Sequence, residues 1–107
     1  MSTYAHPIDA LADPTRRRVL ELLRRGPASV ATLAGQLPVS RPAVSQHLRA
    51  LREAGLVTYR AEGTRHVYAV DRSGLAELRA WLDTFWDDAL VRYKHAAERP
   101  EQERSEE

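Results

Sequence analysis

The sequence predicts a mainly α domain carrying one β-hairpin, in the order α-α-α-α-β-β-α. Three observations carry that prediction. Residues 13–55 hold three amphipathic helical patterns, each opened by a capping residue (Asp13, Ser29, Ser40) and closed by Pro or Gly. Residues 56–70 switch to runs rich in Val, Tyr and Thr on either side of Glu62-Gly63-Thr64. Residues 74–97 then return to a long apolar stripe at helical spacing.

The elements follow in turn. Ile8 to Ala12 is a short apolar piece that fits a brief helix. In DPTRRRVLELLRRGP, Asp13 is the expected N-cap and Pro14 the first helical residue, and Gly26-Pro27 is the stop. Val19, Leu20, Leu22 and Leu23 face inward there, and the arginines stay wet. The next helix covers VATLAGQL, with Val30, Leu33, Ala34 and Leu37 inward, until Pro38 ends it. After the connector PVS, Ser40 caps a helix over residues 41–54 whose Val44, Leu48 and Leu51 fall at i, i+4 and i+7. Gly55 stands where a left-handed C-terminal cap belongs. LVTYRA and RHVYAV form a two-stranded hairpin with Gly63 in the turn, and Ser73 is the expected cap of the last helix.

With 107 residues the chain has room for one small hydrophobic core. We expect a single domain over residues 1–97 and a disordered acidic tail over 98–107, where ERPEQERSEE has nothing to bury. The absence of cysteine excludes a disulfide framework, a thiolate metal site and a cysteine nucleophile. No apolar run is long enough to span a membrane, and MSTYAHPIDA lacks the basic flank and apolar block of a secretion signal, so the expected compartment is the cytoplasm. The net charge of +1 hides a segregation. Residues 14–72 carry eleven arginines against Glu21, Glu53, Glu62 and Asp71, a balance of +7, whereas residues 73–107 stand at −4. A basic middle made entirely of Arg suits a polyanion offering phosphate and guanine.

Two short helices joined by three residues and followed at once by a hairpin is the order of a helix-turn-helix with a wing. Such a fold needs one face of its second helix held against the partner helix and another that enters the major groove. Val44, Leu48 and Leu51 supply the first. Ser40, Arg41, Pro42, Ser45, Gln46 and Arg49 lie around the other side and toward the N-terminus, as candidate contacts to double-stranded DNA. Arg forks onto guanine and Gln onto adenine, and Ser45 is short enough for close approach. Arg60, Thr64, Arg65 and His66 would make the hairpin tip a finger along the sugar–phosphate backbone. Taken alone, the helix also reads as an ordinary solvated amphipathic surface, and the hairpin as an edge kept soluble by charge.

ALADPTRRRVLELL, SRPAVSQHLRALREAGLV and EGTRHVYAV together resemble the ArsR/SmtB family of bacterial winged-helix repressors, over residues 8–90. The resemblance is nearest to the metal-independent, SdpR-like members. It implies a homodimer that binds a palindromic operator and blocks transcription. One metal site of the family uses paired cysteines on the helix that here reads VATLAGQL, and this chain has none. Another, on the last helix, pairs Asp-x-His with a later His-x-x-Glu. His95 and Glu98 match the second half, but Leu82 and Thr84 occupy the first, with Asp83 one place off. Two ligands fall short of the four that zinc takes. No metal, cofactor or small-molecule effector is therefore expected.

The last helix is too apolar to be a lid on a small domain. Leu78, Leu82, Phe85, Trp86, Ala89 and Tyr93, widened by Trp81, form a stripe that a second copy would cover, helped by Tyr4, Ile8 and Leu11 near the start. A well-filled monomer core is the alternative. Among function classes, an enzyme is excluded: there is no nucleophile elbow and no phosphate-cradling glycine loop, and His6, His47, His66 and His95 are scattered over four elements. A ligand-responsive regulator, metal or small-molecule, and a winged-helix module that binds protein instead of DNA remain as alternatives.

Overall fold

In a computed structural model of the protein, described over residues 6–98, the chain forms a 3-10 helix (Pro7–Ala12), α1 (Pro14–Leu23), β1 (Ala28–Ser29), α2 (Val30–Ala34), α3 (Arg41–Glu53), β2 (Val57–Glu62), β3 (Arg65–Val70) and α4 (Arg72–Glu98). Tyr4 and residues 99–107 of the expected tail lie outside the described residues.

The expected caps set most of these boundaries. Asp13 Oδ1 accepts from the Arg16 backbone N–H at 3.0 Å, and Ser29 Oγ accepts from the Thr32 N–H at 3.2 Å. The Arg16 N–H bond holds the Asp13 carboxyl below its ordinary 3.8, since the bond favours the charged form. At the end of α3, the Gly55 N–H bonds to the Arg52 carbonyl and the Leu56 N–H to the Leu51 carbonyl. This is a Schellman closure, and it needs the left-handed φ of +80° that Gly55 adopts. Leu51 and Leu56 are both fully buried, which adds the apolar contact that accompanies the motif.

Three expectations change. α2 ends at Ala34 instead of running to Leu37: Gly35 is a poor helix former, and the Gln36 N–H already bonds three residues back, to Leu33. The sheet has three strands in the order β1-β3-β2, because Ala28 pairs with Tyr68 and Ser29 with Val67. A two-residue strand leaves no alternation to read. Asp71, not Ser73, caps α4. Its Oδ1 accepts from the Ser73 N–H (3.0 Å), the Ser73 hydroxyl (2.7 Å) and the Gly74 N–H (3.3 Å). The Ser73 hydroxyl bond is the main reason its carboxyl is also lowered from 3.8.

The core lies where α1, α2 and α3 meet the base of the hairpin. Val19, Leu33, Val44, Leu48, Leu51 and Leu56 are its largest fully buried side chains. Each contributes about 1.5–3 kcal/mol by leaving water. β2 and β3 pair from Val57↔Val70 out to Glu62↔Arg65, leaving Gly63 and Thr64 as a two-residue turn. Gly63 takes a φ of +62° and Thr64 does not follow it into positive φ, the pattern of a type II′ turn with glycine first.

Candidate nucleic-acid interface

α3 is held by one face only. Val44, Leu48 and Leu51 are 0% exposed, whereas Arg41, Pro42, Ser45, Gln46 and Arg49 are all exposed along the other side. Ser40 Oγ accepts from the Ala43 N–H at 3.3 Å, and Pro42 sits in the first turn, where its missing N–H leaves no bond unmade. Among the described residues Arg41 has no carboxylate within ion-pair distance. Arg49 meets Glu53 at 3.5 Å, but its side chain is 81% exposed. Such a surface pair is worth under about 1 kcal/mol and exchanges readily for another anion. His47 is half-buried beside the apolar stripe.

The hairpin leans toward the same side. Arg41 and Ser45 of α3, with Thr64, Arg65, His66 and Tyr68 of the hairpin, line one open groove of about 390 Å³. Arg41 and Arg65 thus flank a single concavity from two elements, and neither is neutralised by a carboxylate among the described residues. Arg60 is placed differently. Glu62 binds it at 2.9 Å, and the two share with Arg65 and Val67 a second depression, on the β1 side of the sheet. The Glu62 carboxylate that intrudes on the basic finger is thereby spent on Arg60.

Sequence reasoning missed the ring stack on the inner face of the hairpin. Tyr59 lies 4.6 Å from His66 and 5.6 Å from Tyr68 between ring centroids, and the Arg52 guanidinium lies 4.0 Å from the Tyr59 ring centre. The alternation of residues 57, 59 and 61 against 70, 68 and 66 is the signal that places these side chains on one face.

α4 leaves this body and carries an apolar face that the described residues leave exposed. Leu82, Phe85, Trp86, Leu90, Val91 and Tyr93 are between 42% and 75% exposed. Ala89 lies exposed among them. Leu78 is buried in the core. Ile8, Leu11 and Trp81 are half-buried against it, the Trp81 ring meeting those of His6 and Phe85 at a tilt, with centroids 4.2 and 4.8 Å away. His95 and Glu98 stand in the last turn of α4.

Helix, connector, outward-facing second helix and basic hairpin define a transcriptional regulator of the winged helix-turn-helix class. The arsR family of bacterial regulatory proteins matches residues 13–59. The chain is 56% identical over 96 residues to the HTH-type transcriptional regulator Rv2034 of Mycobacterium tuberculosis, covering 87% of this chain and 90% of that one. It is 30% identical over 76 residues to the transcriptional repressor SdpR of Bacillus subtilis, covering 71% and 84%. Its fold is similar, at a TM-score of 0.62 and 33% identity over 77% of this chain and 76% of the other, to the homodimeric winged helix-turn-helix DNA-binding domain of Mb0332 from Mycobacterium bovis, a possible ArsR-family transcriptional regulator. The chain belongs to the ArsR family of bacterial regulatory proteins.

Proposed function

We propose that two copies of this chain join along α4, place their α3 helices in successive major grooves of a palindromic operator, and repress transcription by covering promoter DNA. The observation that carries the reading is the groove between α3 and the hairpin, with Arg41 and Arg65 on its two walls and neither paired with a carboxylate among the described residues. A groove of that kind accepts a phosphate backbone while Ser45, Gln46 and Arg49 reach base edges. The exposed face of α4 supports the dimer: a Phe, a Trp and a Tyr left in water would drive association of any kind, and a two-fold contact closes it. One α3 helix alone reads too few bases for a specific site, and two held about 34 Å apart read both half-sites from one face of the duplex. Repression is the activity named for SdpR. The work is done in the cytoplasm, where the DNA is, and needs no cofactor.

Selection of bound fragments from random double-stranded DNA by the purified chain tests this. An inverted repeat is the expected product. Recovery of no common sequence, or of an unpaired half-site, would overturn the operator reading.

A further inference from the structure

The root of α4 touches the end of α3 through two glycines. Gly74, in the first turn of α4, packs on the backbone of Gly55 just beyond the last turn of α3. A Cβ on Gly74 would fall within the van der Waals shell of the Gly55 carbonyl oxygen and 2.7 Å from its carbonyl carbon. Both are main-chain atoms and cannot swing aside. The same corner is tied once more, by the Asp71 N–H to the Leu56 carbonyl at 2.9 Å, and the Asp71 carboxylate fixes the first turn of α4 through Ser73 and Gly74.

We propose that Gly74 is a positioning residue for DNA recognition: the side chain it lacks lets α4 rest on the Gly55 carbonyl, and this contact sets the separation of the two α3 helices in the dimer. The inference rests on the dimeric, DNA-reading function proposed above. Magnitudes make the contact consequential. Carbon sits comfortably at roughly 3.5 Å from the atoms it packs on, so relieving the overlap of a methyl group at residue 74 with the Gly55 carbonyl carbon and oxygen displaces α4 from α3 by about 1–2 Å. Two-fold symmetry doubles that displacement. The resulting change of up to about 4 Å compares with about 3.4 Å for one base-pair step.

Because the chain has no cysteine, Gln46→Cys gives one spin-label site on each α3 helix. The inter-label distance is measured in the DNA-free dimer, alone and with Gly74→Ala or Gly55→Ala. Gly55 has a φ of +80°, and a Cβ there meets nothing within 4 Å, so Gly55→Ala strains the backbone without pushing the helices apart. Gly74→Ala is expected to move the distance by roughly 2–4 Å. Gly55→Ala is expected to lower Tm and leave the distance alone. An unchanged distance in Gly74→Ala, or the same shift in both variants, overturns the inference.

Unlabelled protein is tested in parallel on inverted repeats whose spacer varies by single base pairs. Gly74→Ala is expected to shift the preferred spacer by one base pair, and an equal loss at every spacer overturns the inference. Absence of any inter-label distance in the parent protein removes the dimer reading and this inference with it. A distance that shifts as expected in a protein that ignores DNA removes the operator reading alone. Should Gly74→Ala not fold, Asp71→Ala loosens the corner without adding atoms and is expected to broaden the distance distribution; an unaltered distribution overturns the proposal.

Discussion

The Arg52 guanidinium of α3 lies over the ring of Tyr59 in β2, 4.0 Å from its centre. The two residues join the helix proposed to face the bases to the hairpin proposed to follow the backbone, so the angle between helix and hairpin is held by a side-chain contact as well as by the sheet. At exposed sites such a cation–π contact contributes about 0.5–1 kcal/mol. Tyr59→Ala should therefore lower unfolding stability in urea by about 1 kcal/mol or somewhat more, since it also removes the stacking on His66 and Tyr68. Affinity for operator DNA should fall although Tyr59 itself reads no base. Unaltered stability and affinity would show that the stack holds nothing.

Arg41 and Gln46 are the side chains through which α3 should read sequence. Arg41→Ala and Gln46→Ala should each reduce the preference for operator over scrambled DNA by about 1–3 kcal/mol, with the circular dichroism spectrum and Tm unchanged. Fluorescence anisotropy on the two duplexes measures the difference. An unaltered preference would remove these residues from base recognition.

Arg65 should act on the backbone. Arg65→Ala should weaken binding to every duplex alike and reduce the slope of log affinity against log salt by about 1. Arg60→Ala should change that slope less, because Glu62 already occupies the Arg60 guanidinium. Equal slopes for the two variants would contradict the placement of Arg60 outside the groove.

Trp86 is 67% exposed in the free chain, near the middle of the uncovered α4 face. A glutamate there would have to be buried without a partner in a symmetric contact. Trp86→Glu should sediment as a folded monomer, and its operator affinity should collapse. A variant that still sediments as a dimer would move the interface elsewhere.

Asp13 and Asp71 are each held below 3.8, Asp13 chiefly by the Arg16 backbone N–H and Asp71 chiefly by the Ser73 hydroxyl. A carboxyl that is more acidic in the folded chain than in the unfolded one stabilises the fold fully above its ordinary value, and that contribution is lost as the pH falls through the lowered one. Tm should therefore be flat with respect to these groups above about pH 5 and decline below about pH 4. Asp13→Asn and Asp71→Asn should each flatten part of that decline. An acid limb unaltered by either substitution would show that the caps do not titrate with folding.

Much of this fold is written locally. Asp13, Ser29 and Ser40 precede apolar runs at helical spacing, and each accepts the backbone N–H that a cap should. The outward face of α3 was legible for a related reason: Val44, Leu48 and Leu51 commit one side of the helix to the core, and geometry exposes the rest. What escaped depends on partners distant in sequence or on the direction a side chain takes. β1 exists only because Ala28 and Ser29 meet Tyr68 and Val67, some forty positions on, and two residues carry no periodicity. The capture of Arg60 by Glu62 and of Tyr59 by Arg52 is likewise a matter of side-chain direction, not of composition. At the last helix two capping residues competed, with Arg72 between them. Asp71 prevailed over Ser73 because its carboxylate gathers two backbone donors and the serine hydroxyl as well.

Pinning β3 between two neighbours has a consequence for how the chain meets its target. β1 ties the middle of β3, at Val67 and Tyr68, to the segment entering α2, and β2 pairs with β3 along its whole length. The hairpin is thus a preset jaw, not a strap that organises on contact. Complex formation should then resemble rigid docking, with a heat-capacity change proportional to the surface covered and no folding contribution from the hairpin.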